Sequence, residues 1–133
     1  EGIAGKYVQI SSGGHHSAAL HDDGFVRFFG RNHYGQAPPE GVPGELCVAV
    51  ACGGNHTVCL SSTGSLLCLG LDNHGQCSGA PAGSDFIAVA AGYDFSMAKR
   101  RDPETGVETI VRWGCNNHGQ VAPVAPAQPQ PQQ

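Results

Sequence analysis

The sequence is poor in charged residues and has no long apolar run. Only 14% of its 133 residues are charged, and the formal net charge is -4. The one basic cluster, residues 99–101, is followed at once by Asp102 and Glu104. A nucleic-acid-binding domain usually presents a basic patch, so no nucleic acid is expected as a partner. A membrane-spanning helix needs about 18 or more consecutive apolar residues, and because the sequence has no such run, no membrane span is expected.

The sequence also lacks the residue patterns from which an enzyme or a metal site is usually inferred. No Ser-His-Asp arrangement, phosphate-binding loop or carboxylate pair is recognisable, and the acidic residues Asp22, Asp23 and Glu45 fall in turns. Six cysteines are present, but none lie in a Cys-x-x-Cys motif. The sequence therefore predicts a non-catalytic protein without a cofactor and without a metal site.

What the sequence does contain is a repeat of about 40 residues. Residues 30–36 read GRNHYGQ, residues 70–76 read GLDNHGQ and residues 114–120 read GCNNHGQ. Upstream, VQISSGGHHSAAL (8–20) aligns with VAVACGGNHTVCL (48–60) and IAVAAGYDFSMAK (87–99). A single unit of this size cannot bury enough surface alone, so the units are expected to stack on one another.

Each unit is expected to hold three or four short antiparallel strands. An Asp-Gly or Thr-Gly turn between two apolar runs is typical of a β-hairpin. A three-residue loop in the first copy pairs Leu20 with Val26, and the matching loop in the second copy pairs Leu60 with Leu66. Such loops need a positive φ, which Gly24, Gly64 and Gly106 can supply. The third copy has five more residues at this point, so a longer hairpin is expected over residues 99–108.

The repeated pattern Gly-x-x-His-[Ser/Thr]-x-x-Leu, Asp-Gly-x-Val and aromatic-Gly-x-Asn-x-x-Gly-Gln resembles the regulator of chromosome condensation repeat. The matching residues are Gly13, His16, Asn32, Gly35 and Gln36 in the first copy, Gly53, His56, Asp72, Gly75 and Gln76 in the second, and Gly92, Asn116, Gly119 and Gln120 in the third. The resemblance implies an all-β fold of β-propeller blades, usually seven to a ring. Three copies would then be part of a larger propeller. The short repeat is similar to the compact blades of propeller-type β-lactamase inhibitors.

The repeated loop is interpreted as scaffold and not as a site. The Asn or Asp side chain can cap its own turn, and the Gln amide can reach backbone groups that the turn leaves unpaired. A buried, hydrogen-bonded histidine that links adjacent strands is predicted at His16 and His56. Phe95 stands at this position in the third copy, which argues against a ligand or base.

The cysteines are interpreted as reduced thiols. Cys52, Cys59 and Cys68 stand where the other copies have small or apolar residues and are expected in the core, whereas Cys77 and Cys115 are expected in exposed loops. Unpaired thiols favour an intracellular reducing compartment or organelle.

The candidate partner-binding residues lie on the loops. Tyr34, His74 and His118 share one loop position, and Arg100 and Arg101 lie on the long hairpin. The sequence therefore favours a protein-interaction or scaffold module inside a larger multi-protein assembly. As alternatives, the resemblance implies guanine-nucleotide exchange on a small GTPase or inhibition of an enzyme.

The predicted organisation is three repeats within residues 1–120, at about 8–36, 48–76 and 87–120, followed by a tail or linker. Residues 121–133 consist of Pro, Gln, Ala and Val alone, which is typical of an extended segment. The first residue is Glu, and a processed, trimmed or partial chain is expected.

Overall fold

The structure is a computed structural model, and it describes residues 6–42 and 44–115. In this part of the chain nine strands form three separate antiparallel sheets of three strands each. The first sheet contains β1 (Tyr7–Ser12), β2 (His16–His21) and β3 (Val26–Gly30). The second contains β4 (Cys47–Cys52), β5 (His56–Ser61) and β6 (Leu66–Gly70). The third contains β7 (Phe86–Ala91), β8 (Phe95–Arg101) and β9 (Glu108–Gly114).

The strand register follows the predicted hairpins. Leu20 lies opposite Val26 in the first sheet, and Leu60 lies opposite Leu66 in the second. Gly24 and Gly64 close these hairpins with φ of 92° and 88°, a backbone region that glycine enters at little cost. The predicted register is therefore confirmed. A fourth strand is not formed in the described segments 37–42 and 77–85, so each sheet has three strands.

The long hairpin of the third sheet is also confirmed. β8 and β9 are seven residues long, whereas their counterparts in the other sheets have six and five. Pairing continues to Arg101 opposite Glu108, so the additional residues lengthen the ladder before the turn. This hairpin therefore breaks the near-symmetry of the three sheets.

The three sheets stack in chain order, and the first strands of neighbouring sheets contact one another. Between the first and second sheets lies a core that includes Leu20, Val26, Val50 and Cys59. Between the second and third sheets lies another, which includes Val58, Leu60, Phe86 and Trp113. The middle sheet thus has neighbours on both faces, and all six residues of β5 are buried.

Among the described residues the outer sheets have only one neighbour each, and their free faces are largely apolar, with Ser12 and Ser17 on the first and Lys99 on the third. Ile10 in the first sheet is 79% exposed, whereas Val50, at the same position of the middle sheet, is 2% exposed. Both residues occupy the same position of the repeat. The difference in exposure therefore arises because a neighbouring sheet covers Val50, whereas no described residues cover Ile10 in this way. On the free face of the third sheet, Ala88, Ala90, Met97 and Ile110 line a shallow depression of about 210 Å³.

Candidate functional site

The loop after the first sheet is held together by the side chains of its repeated motif. The Asn32 carboxamide oxygen accepts a hydrogen bond from the backbone N–H of Ala37 at 2.9 Å. The side-chain oxygen of Gln36 accepts one from the backbone N–H of Tyr34, also at 2.9 Å. Because Gln36 is completely buried, its amide supports the turn from inside and is not available to a ligand.

The loop after the second sheet repeats this arrangement. Asp72 accepts hydrogen bonds from the backbone N–H groups of Cys77 and Ser78, each at 2.8 Å. Gln76 accepts one from the backbone N–H of His74 at 2.8 Å. The Asn or Asp side chain and the Gln side chain therefore accept equivalent backbone hydrogen bonds in both loops. This repetition is expected of residues that stabilise the loop. The corresponding residues Asn116, Gly119 and Gln120 of the third copy lie outside the described residues.

Buried histidines connect each sheet to the next through a chain of hydrogen bonds that we call the hydroxyl relay. The Thr57 hydroxyl donates to the carbonyl oxygen of Gln36 at 2.7 Å, and its oxygen lies 2.8 Å from Nε2 of His16. Since the hydroxyl proton is already used, the His16 imidazole must donate from Nε2. The relay therefore ties the first sheet, the second sheet and the loop between them.

The second relay has the same geometry. The Ser96 hydroxyl donates to the carbonyl oxygen of Gln76 at 2.9 Å, and Nε2 of His56 lies 3.0 Å from its oxygen. The indole N–H of Trp113 donates to the same carbonyl at 2.8 Å. The prediction that these histidines link adjacent strands needs correction, because they link adjacent sheets. Because the repeats of about 40 residues stack on one another, each histidine lies beside a hydroxyl of the next repeat. It does not bond to the neighbouring strand of its own sheet through this group.

The relay also sets the ionisation of its histidines. Burial lowers the pKa of both His16 and His56 below the ordinary value of 6.5. The Nδ1 atom of each ring has no hydrogen-bond partner among the described residues. Protonation would therefore place an unpaired buried N–H in the interface between two sheets.

Acid is expected to destabilise the fold over the range in which histidine titrates. Because the folded-state pKa values are lowered, the unfolded chain binds more protons below about pH 6.5, so the free energy of unfolding falls as pH falls through this range. Urea unfolding at about pH 7.5 and about pH 5.5 measures the effect. His56→Phe, which copies the third repeat, should reduce the pH dependence, whereas replacement of the exposed His33 should not. An unchanged slope in H56F would refute the assignment.

Close backbone contacts accompany the relay at the Gly-Gly turns. The N–H of Gly14 donates to the carbonyl oxygen of Gly53 at 3.0 Å, and the N–H of Gly54 donates to that of Tyr93 at 2.9 Å. A Cβ atom on Gly13 would overlap with the carbonyl oxygen of Gly53. These glycines therefore permit one sheet to hydrogen-bond to the backbone of the next.

The extent of the repeat matches a known family. The model of the regulator of chromosome condensation (RCC1) repeat matches residues 7–36 and 47–76, each from the start of a first strand to the buried glutamine. The first two repeats, which these matches cover, belong to the RCC1 repeat family. The match does not extend over the third sheet, where Phe95 replaces the relay histidine and the hairpin is longer.

Solved structures place these RCC1 repeats in a partial β-propeller. Prp20p from Saccharomyces cerevisiae is similar with a TM-score of 0.70 and 21% identity, over 91% of this chain and 33% of that chain. The ectodomain of the Physcomitrella patens receptor kinase CR4 is similar with a TM-score of 0.65 and 21% identity, over 81% of this chain and 30% of that chain. Human WBSCR16 is similar with a TM-score of 0.65 and 19% identity, over 86% of this chain and 34% of that chain. At these low sequence identities the similarity shows a shared fold and nothing further. The chain spans about a third of the length of each of these structures. No curated protein matches the sequence significantly.

The candidate partner-binding residues differ in their exposure and in their contacts within the chain. Tyr34 and His74 are exposed at equivalent loop positions, and His118 lies outside the described residues. Arg100 is bound within the chain, since its guanidinium donates to Asp85 at 2.7 Å and stacks 4.6 Å from the ring centre of Phe86. Arg101 forms an ion pair with Glu108 on the neighbouring strand. Partner binding by these residues remains a prediction.

The cysteines of the RCC1 repeats are free thiols with different surroundings. Cys52 and Cys59 are buried, and burial raises the pKa of Cys52 to about 11. Cys68 is half-buried, and its sulfur lies 2.9 Å from that of Cys77, a contact that the sequence did not indicate. The neighbouring Cys77 thiol and burial raise the pKa of Cys68.

The expectation that Cys115 is exposed was wrong, because its residue is only 5% accessible. Its backbone N–H donates to the carbonyl oxygen of Asp94 at 2.9 Å, which holds the end of β9 against the turn between β7 and β8. There the Cys115 sulfur, the Asp94 carboxylate and a ring nitrogen of His74 lie within 4.8 Å of one another. No short sequence motif links these residues, so the sequence could not indicate the cluster.

Proposed function

We propose that the chain is a non-catalytic protein-interaction module that forms a structural part of a larger protein assembly, in a reducing compartment. The observation that carries the proposal is the pair of open apolar faces at the two ends of the stack. Soluble monomers rarely expose large contiguous apolar patches, and such patches are typical of interaction sites. The free thiols of Cys52 and Cys59 in the core are consistent with a reducing compartment.

The two free faces differ in chemistry and therefore favour different neighbours. In the first sheet, Ser17 occupies the position that Thr57 and Ser96 fill in the relays, so this face fits a blade that presents a histidine donor. In the third sheet, Phe95 occupies the histidine position. That face therefore offers the next protein surface no histidine donor, and it presents Lys99 among apolar side chains such as Met97 and Ile110. The proposed occupants are further blades or partner protein chains.

Similar folds with known protein partners support an interaction role. The Prp20p structure is described together with its binding to Gsp1p and histones, and yeast RCC1 (Prp20) has been crystallised with Kap60. The Thr57 and Ser96 hydroxyls that lie beside His16 and His56 are buried and donate their protons to backbone carbonyls, so these two pairs are arranged as structural hydrogen bonds. The chain is accordingly proposed to act by binding protein.

The 133-residue chain on its own is expected to self-associate and to bind a hydrophobic dye, because both end faces are uncovered. Ile10→Lys places a charge on the free face of the first sheet and should reduce association in sedimentation velocity experiments. Val48→Lys is the matched control. Val48 is 56% exposed, but it lies at a strand irregularity of the middle sheet, whose faces are covered.

A monomer that melts cooperatively and binds no dye would contradict the proposal, since three sheets would then be sufficient alone. An equal effect of both lysine substitutions would also contradict it, because association would then follow general hydrophobicity and not the open face. Binding of a partner chain should suppress the self-association of the parent protein.

A further inference from the structure

The cluster at the junction of the second and third sheets brings together three side chains of metal-binding type. His74 comes from the loop after β6, Asp94 from the turn between β7 and β8, and Cys115 from the end of β9. Their nitrogen, oxygen and sulfur atoms lie within 4.8 Å of one another. Among residues 6–42 and 44–115, no side-chain hydrogen bond occupies the His74 imidazole, the Asp94 carboxylate or the Cys115 thiol. All three donors are therefore available to a common ligand.

The repeat provides an internal comparison that separates scaffold from site. At the junction of the first and second sheets, the corresponding positions are Tyr34, Asn55 and Leu71. That junction has the same backbone bonds, since the N–H of Leu71 donates to the carbonyl oxygen of Asn55 at 3.0 Å, as Cys115 does to Asp94. The scaffold thus does not require metal-binding side chains here. Of the two described junctions, the one between the second and third sheets has a metal-binding residue type at all three positions.

The donor set fits zinc. Histidine nitrogen, carboxylate oxygen and thiolate sulfur are the usual protein ligands of Zn²⁺, at bond lengths of about 2.0–2.3 Å. In a tetrahedral site these bond lengths place ligand atoms roughly 3.3–3.6 Å apart. Since the ligand atoms lie within 4.8 Å of one another, the side chains must approach by at most about 1.5 Å, which the exposed imidazole of His74 can do without losing core contacts. The thiolate and carboxylate charges balance the charge of the ion.

We propose that His74, Asp94 and Cys115 form a Zn²⁺ site that ties the loop of the second RCC1 repeat to the third sheet. The backbones on both sides are already fixed, because the N–H of His74 donates to Gln76 at 2.8 Å and that of Cys115 donates to Asp94 at 2.9 Å. Three protein donors leave one tetrahedral position for water or another ligand. Binding releases the thiol proton of Cys115 to solvent.

The test uses the 133-residue chain with Zn²⁺ and with Co²⁺ as the spectroscopic probe. One equivalent of Co²⁺ should give a sulfur-to-metal charge-transfer band and a tetrahedral visible spectrum, and Zn²⁺ should displace it. His74→Tyr inserts the residue that the first repeat has at this exposed position, so the fold should be retained. It should weaken Zn²⁺ binding by at least about tenfold, since even outer-shell changes cost that much. Cys115→Ser should abolish the charge-transfer band.

A matched control removes the other close thiols. The double variant Cys68→Ser/Cys77→Ser should retain the Co²⁺ spectrum and the Zn²⁺ affinity, because neither residue is in the cluster. Loss of binding in this control would overturn the proposal and assign the metal to the other thiol pair. Undiminished Zn²⁺ affinity in H74Y, or no binding above that of a chain with all six cysteines replaced, would overturn it as well. The outcome does not depend on the proposed interaction role.

Discussion

Replacing Gly53 with alanine is expected to destabilise the fold by at least about 3 kcal/mol, the upper part of the range for overpacked interiors. The added Cβ would overlap with Cε1 of the His56 ring, and it would lie 2.5 Å from Nδ1 of His56 and 2.6 Å from the carbonyl oxygen of Gly92. The imidazole cannot move away without breaking its bond to Ser96, and the Gly92 carbonyl belongs to the backbone of the next sheet. Urea unfolding at low protein concentration measures the loss.

Gly106→Ala is the control for the general effect of adding a methyl group to a glycine. Gly106 has φ of 76° and nothing within 4 Å of an added Cβ, so only the left-handed backbone cost of about 1 kcal/mol applies. If G53A cost no more than G106A, the close approach of the sheets would carry no stability. If G53A unfolds the chain outright, circular dichroism will show it directly, and the expectation is met.

Replacing His56 with alanine is expected to cost about 3–5 kcal/mol, by analogy with other large-to-small substitutions in protein cores. The His56 side chain is fully buried between the second and third sheets. Its removal leaves a cavity and takes away the donor to the Ser96 oxygen, while Ser96 stays bonded to the carbonyl of Gln76. Denaturant unfolding gives the change in free energy of unfolding.

Two further variants separate the cavity from the hydrogen bond. His56→Phe fills the space with the side chain that the third repeat has at this position, so it should cost less than H56A and report mainly the lost bond. His33→Ala, in an exposed loop, should change stability by less than about 0.5 kcal/mol. Equal costs for H56A and H33A would show that the relay does not stabilise the stack.

The sequence predicted the interactions within each repeat well, because these are local. Hairpin pairing, such as Leu20 opposite Val26, depends on a short loop with a glycine and on which neighbouring residues are apolar. The caps of the repeated loops depend on side chains two to six residues from their partners. Both kinds of contact are short in sequence, so the spacing of residue types determines them.

Contacts between repeats were harder to predict, because the repeat length shows which units stack but not which atoms meet. His16 was expected to bond to a neighbouring strand, yet its partner is Thr57 of the next sheet, 41 residues away. Cys115 was expected to be exposed because it follows a strand end, but the turn at Asp94 covers it. The cluster of His74, Asp94 and Cys115 is likewise a product of stacking.

The position of the middle sheet has a consequence for how the protein opens. Each sheet is closed by local hairpins and packs mainly against its sequence neighbours, although the Tyr93 hydroxyl of the third sheet also reaches His15 of the first. Stability in such arrays is roughly a sum of units and their interfaces. Opening should therefore begin at the two ends, where one interface is lost at a time, and reach β5 (His56–Ser61) last. The amides of β5 then exchange with solvent only when both interfaces have separated, so their exchange rate reports the stability of the whole stack.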